Sequence, residues 1–181
     1  DMTVDLEDGC GCKAYLSGDL ILVDVGAAKN NYATDISRAF PVNGIFTPEQ
    51  KEVYSIALKI NKELMDMLVP HKTTFDDIEA HSRQRVAEEL VAAGYLRKEE
   101  DVSKYYWHRG THHLGLDVHD VGRSPVPIAP GMVFTIDVGI YIEDKNIGFR
   151  VEDDVAITAD GYEHLSSEIV REIDDIEEIM R

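Results

Sequence analysis

Apolar residues recur along this chain at two periods, and the switches between them mark out its elements. Residues 19–25 (DLILVDV) and 32–40 (YATDISRAF) alternate or run apolar as strands do, across a polar turn at 26–31. This pattern predicts a hairpin with Asp24 on one arm and Asp35 on the other. Thr47-Pro48-Glu49-Gln50 then supplies an N-cap hydroxyl, a proline at the first helical position and a glutamine placed for a capping box. Behind it Val53, Ile56, Ala57, Ile60, Leu64, Met67 and Leu68 fall at steps of three and four, and Pro70 closes the run, which predicts an amphipathic helix.

Thr74 followed by Asp77 opens a second helix that runs through Ile78, Val86, Leu90 and Val91 to Gly94. Between 105 and 131 periodicity gives way to histidine, glycine and proline, the composition of loops and irregular strands at a working surface. Strand signals return at 132–142 and 147–158, a second hairpin with Asp137 on one arm and Glu152 on the other. The tail after Gly161, including SSEIVREIDDIEEIMR, reads as a terminal helix.

Each predicted hairpin therefore carries one carboxylate per arm, and the tripeptide Asp-Val-Gly occurs in both, at 24–26 and 137–139. A carboxylate buried in a sheet costs several kcal/mol, roughly, unless it is paired, hydrogen-bonded or bound to a metal. The repetition points to two halves packed face to face, with the four carboxylates gathered between them. Four negative charges are balanced by two divalent cations, whereas one would leave the cluster strongly charged.

Composition narrows the setting. At 181 residues and 44% apolar content the chain suits one compact domain. No apolar run reaches the roughly 18 residues of a membrane span, and the acidic start DMTVDLEDGC is unlike a secretion signal, so a cytoplasmic location is expected. A net charge of −17 repels nucleic acid and anionic membrane surfaces, and neither is expected as a partner. Cys10 and Cys12 are too close for an ordinary disulfide and too few for a zinc cluster, and are read as reduced thiols.

His108, His112, His113 and His119 fall within twelve residues of a chain holding seven histidines, a density that favours ligands or proton shuttles. Gly110 weakens a helical reading of the His108/His112 spacing, so a loop or strand is expected there. Carboxylates together with imidazole suit Mn, Co, Fe or Zn better than calcium. Two such ions roughly 3.5 Å apart can activate a bridging water and polarise a carbonyl, which is hydrolase chemistry. Arg150 and Glu152 share a strand face, which places Arg150 to orient that carboxylate or a substrate.

The segments GDLILVDVGA…NNYATDISRAFPVNGIFT, HRGTHHLGLDVHDVG, PGMVFTIDVGIYI and IGFRVEDDVAIT, in this order and spacing, resemble the metal-dependent aminopeptidase P, prolidase and methionine aminopeptidase family over nearly all of residues 14–165. The resemblance implies an α+β pita-bread fold, a curved antiparallel sheet of pseudo-two-fold halves flanked by helices. It implies Asp24, Asp35, His112, Asp137 and Glu152 as ligands of two divalent ions, Mn foremost, with Asp35 and Glu152 bridging. His112 rather than His113 matches the ligand because it stands seven residues before His119. His119 matches the histidine that steadies the substrate carbonyl, and His108 and Arg150 match positions lining the subsite around proline. The implied reaction is hydrolysis, by a metal-bridging hydroxide, of the bond between an N-terminal residue and a following proline.

The chain departs from the family in three ways. Asp137-Val138-Gly139 stands where the family has Glu-Pro-Gly, which withdraws the carboxylate by one methylene from a proton-transfer role; placement errors near 1 Å cost about a hundredfold in rate. The family's His-Tyr pair before the first aspartate strand is replaced by TVDLEDG. The family domain normally begins some tens of residues earlier, with helices and strands that complete its first half, and in this branch often follows an N-terminal domain that supports homo-oligomers in the full-length protein; by the resemblance this chain is either a fragment or has lost residues around its start. Residues 1–181 are thus read as a pita-bread catalytic domain short of its opening elements. Two alternatives stay open: a catalytically silent module that binds peptides or proteins, and an Xaa-Pro dipeptidase.

Overall fold

The computed structural model describes residues 16–122 and 126–181. The cysteine pair and the TVDLEDG segment lie outside the described residues.

The main sheet has five strands, four of them side by side in the spatial order β1 (Leu20–Val25), β4 (Ile36–Pro41), β6 (Ile147–Ile157), β5 (Val133–Ile142), all antiparallel. The two predicted hairpins, β1/β4 and β5/β6, thus lie side by side with β4 against β6. The first differs from expectation in one respect. Its second arm is broken: Tyr32–Ala33 (β3) pairs back onto Ala28–Lys29 (β2) as a separate ribbon, and β4 begins only at Ile36. Asn30 and Asn31, both with positive φ, turn that ribbon, a conformation asparagine tolerates better than most residues. Asp35 therefore stands in the break just ahead of β4.

Both helices start where the capping signals place them. Thr47 and Gln50 form a reciprocal capping box at the head of α1 (Pro48–Asp66), and Thr74 and Asp77 form another at α2 (Phe75–Ala92). Val53, Tyr54, Ala57, Ile60 and Leu64 of α1 are fully buried against β5 and β6. Each large apolar side chain so buried contributes about 1.5–3 kcal/mol, and Leu64→Ala would cost about 2–5 kcal/mol. Asn61 is also buried there, and its amide donates to the carbonyls of Ile136 and Val151.

Period-two alternation then decides what each strand offers to either side. Phe134, Ile136, Val138 and Ile140 of β5, with Phe149, Val151 and Val155 of β6, join the core. Asp137, Tyr141, Arg150 and Glu152 point to the other face. A short strand β7 (Tyr162–His164) pairs with the end of β6 where no strand was expected. The terminal helix α3 is confined to Ile173–Ile179, and the residues between β7 and α3 form a turn over 165–168 followed by irregular chain.

Candidate metal centre

Three register pairs set one row across the sheet: Asp24 opposite Ser37, Ser37 opposite Glu152, and Glu152 opposite Asp137. Residues directly opposite in antiparallel strands lie on the same face, so this row brings both hairpins' acidic positions together. Asp35 enters from the break before β4. Its backbone N–H donates to the Asp154 carboxylate at 3.2 Å. Asp154 shares the Glu152 face by the two-residue period.

The histidine-rich segment lies along the outer edge of β5 rather than forming a free loop. The N–H groups of Asp137, Thr135 and Leu114 donate to the carbonyls of Gly110, His112 and Val133. This edge pairing hangs the His112 ring over the carboxylates, with Nε2 at 3.4 Å from Asp35 Oδ2 and 3.3 Å from Glu152 Oε1. His119 packs its ring against His112 at 4.2 Å between centroids. His113 turns away to stack on Phe75 at 4.5 Å. His108 places Nδ1 at 3.2 Å from Asp137 Oδ2 and Nε2 at 2.8 Å from the Tyr141 hydroxyl.

The two Asp-Val-Gly glycines serve different needs. A Cβ on Gly139 would meet His108 Nε2 at 2.2 Å, so the bare backbone gives that ring its place. A Cβ on Gly26 would meet the Thr34 carbonyl oxygen at 2.2 Å, where the ribbon doubles back.

Ligand atoms fall into two groups whose members all lie within 4.8 Å of one another, Asp24, Asp35 and Glu152 in one and Asp35, His112 and His119 in the other. Asp35 belongs to both. Asp137 belongs to neither, and its Oδ1 is buried without a hydrogen-bond partner among the described residues. Arg150 ion-pairs with Asp24 and donates through Nε to Ser37 Oγ.

The electrostatics are those of a cluster short of positive charge. Burial, then Glu152 and Asp24, push the Asp35 carboxyl up to about 7 despite the opposing His112. Burial and the Glu152 charge likewise raise Asp137 well above the usual carboxylate range. Asp154 is pushed up to about 7, first by its own burial. Burial disfavours charge on the His112 ring, yet its contacts with Glu152 and the His113 carbonyl raise it overall. Carboxylates that resist ionising side by side, an orphaned buried oxygen and an oxygen-rich donor set with imidazole together fit divalent cations.

Of the residues singled out in the sequence for this site, Asp24, Asp35, His112, His119 and Glu152 are thus brought together, with Arg150 joined to them through Asp24 and His108 held against Asp137 beside them, while His113 turns away. Ser37, Tyr141 and Asp154 were missed. The two-residue period was the available signal for all three, from Asp35 to Ser37, from Glu152 to Asp154 and from Asp137 through Gly139 to Tyr141 on β5; the pairing of Tyr141 with His108 across the chain had none.

The model of metallopeptidase family M24 matches residues 9–159. The chain is 36% identical to the Xaa-Pro aminopeptidase of Escherichia coli K12, over 90% of this chain and 41% of that protein. It is also 36% identical to human Xaa-Pro aminopeptidase 3, over 90% of this chain and 35% of that protein. The chain therefore spans well under half the length of these relatives. Among solved structures, Pseudomonas aeruginosa aminopeptidase PepP superposes with a TM-score of 0.86 at 35% identity, covering 93% of this chain and 42% of that one.

Proposed function

Because the chain belongs to metallopeptidase family M24 and has its pita-bread fold, we propose that it is the core of a dinuclear metal-dependent exopeptidase that cleaves the bond between an N-terminal residue and a following proline. The observation that carries this reading is the pair of ligand groups overlapping at Asp35. A carboxylate common to two sets is what a bridging ligand requires.

Asp24, Asp35 and Glu152, with His112, would hold the ions, Asp137 completing the set from behind His108, and Mn, Co, Fe or Zn suits these donors. Bound there, such ions supply an activated water and a polarised carbonyl. The remaining work falls to the chain's own groups. The Asp137 carboxyl, whose Oδ1 has no hydrogen-bond partner among the described residues, would take up a proton if its shorter side chain reaches the substrate, with His108 beside its other oxygen. His119, exposed at the rim of the cluster, would donate to the substrate carbonyl as negative charge develops on its oxygen. Arg150 and Tyr141 flank His108 on the side where proline and the rest of the peptide would lie.

Peptide release from Ala-Pro-Ala by Mn-loaded protein, with Ala-Pro and Ala-Ala-Ala as comparisons, tests the proposal. Cleavage of Ala-Pro-Ala alone is expected. Preference for Ala-Pro would make the chain a dipeptidase, and inert protein with both ions bound would contradict a peptidase role.

A further inference from the structure

We propose that Ser37 is a positioning residue that keeps Arg150 off Glu152, so that the Glu152 carboxylate stays available to metal. The inference rests on the metal site proposed above. Ser37 is fully buried at the centre of the acidic row, where the strand register puts Asp24 on one side and Glu152 on the other. A hydroxyl has one proton to give and lone pairs to receive. Here the proton goes to Glu152 Oε2 at 2.8 Å, and a lone pair accepts the Arg150 Nε proton, also at 2.8 Å.

That arrangement has a direct consequence for charge. Arg150 and Glu152 are two residues apart on one face of β6, the separation at which a guanidinium can fold onto a carboxylate as a bidentate pair. The described residues hold no such pair; the guanidinium goes instead to Asp24 and to Ser37. A carboxylate clamped by arginine competes poorly for a cation, because both partners seek the same lone pairs. The hydroxyl between them tethers the guanidinium one group away and fixes the rotamer of Glu152 with a neutral hydrogen bond. It thereby leaves Oε1 towards His112 and towards the second ligand group.

The substitutions Ser37→Thr and Ser37→Val separate the hydroxyl from the packing. They add nearly equal bulk at a buried strand position, so any strain is common to both and the difference is the O–H. Manganese affinity of the demetallated variants, measured by titration calorimetry beside wild type and beside their melting temperatures, is the readout. Loss of a partner that orients a metal ligand costs about 10–100-fold in affinity. Ser37→Val is expected to fall in that range below Ser37→Thr, and Ser37→Val combined with Arg150→Gln to recover part of the loss, since the competing guanidinium is gone. Equal affinities for the Thr and Val variants, at whatever stability, would overturn the role of Ser37. A wild-type protein that binds no manganese would overturn the metal site itself, and the inference with it.

Discussion

Glu152 and Asp153 are neighbours on β6, and strand alternation sends them to opposite faces of one sheet. Asp153 lies in the core row with Phe149, Val151 and Val155, completely buried. It is met there by Arg38 at 2.5 Å, Arg171 at 3.1 Å, Ser166 at 2.7 Å and His164 at 3.2 Å. Burial opposes its ionisation, yet the His164 hydrogen bond and the Arg38 charge overcome it and hold the carboxyl well below the usual range. On the other face Glu152 keeps company with Asp24, Asp35 and Asp137, and the latter two are raised. The same residue chemistry, one peptide apart, is fully answered in one place and left wanting in the other. Buried charge that the fold satisfies itself is scaffold; buried charge left unanswered waits for something the chain does not supply.

The largest test of that contrast is to neutralise each carboxylate in turn. Glu152→Gln should weaken manganese binding by more than about 100-fold, beyond the usual cost of losing an outer partner, while the metal-free melting temperature holds or rises as repulsion is relieved. Asp153→Asn should do the reverse. Breaking a buried pair and stranding its cations costs about 3–5 kcal/mol, on the order of 10 °C in Tm for a domain of this size, and metal binding should persist below the transition. Equal melting temperatures for the two variants without metal would erase the distinction.

A smaller effect comes from pH. Asp35 and Asp154 titrate at about 7 in the folded chain, above the ordinary value near 4 for an unfolded aspartate. Their protonated forms favour the fold: this contribution is complete below about pH 4 and is lost as pH rises through 7. Asp153, depressed, contributes above about pH 4 and changes nothing between 5 and 8. Melting of the metal-free protein should therefore fall from pH 5 to pH 8. Saturating manganese should reverse that slope, because cations bind the ionised carboxylates. A metal-free slope that is flat or rising would remove the claim of unanswered charge.

How much of this was legible beforehand follows the same divide. Capping residues announced both helices, alternation announced the hairpins, and carboxylates in apolar runs announced a cluster, because local chemistry dictates each of these. The break before Asp35 was not legible. Whether Tyr32-Ala33 pairs with β1 or folds back on Ala28-Lys29 is settled by backbone pairing, and the residue pattern is strand-like either way. The support of Asp153 was equally hidden, since Arg38, His164, Ser166 and Arg171 are brought to it by tertiary structure. The segment that carries Arg171 read as continuous helix, yet it is turn and irregular chain, and Arg38 and Tyr54 bond to the carbonyls of Val170 and Arg171. Asp137 was legible by type and strand, but its setting behind His108 depends on the room left by Gly139.

The most direct measurement is calorimetric titration of manganese into the demetallated protein, wild type beside Asp35→Asn. Asp35 is the residue common to both ligand groups, so the account predicts two ions per chain for wild type and loss of the pair in the variant. Binding of no ion, or the same stoichiometry and affinity with and without the Asp35 carboxylate, would contradict it.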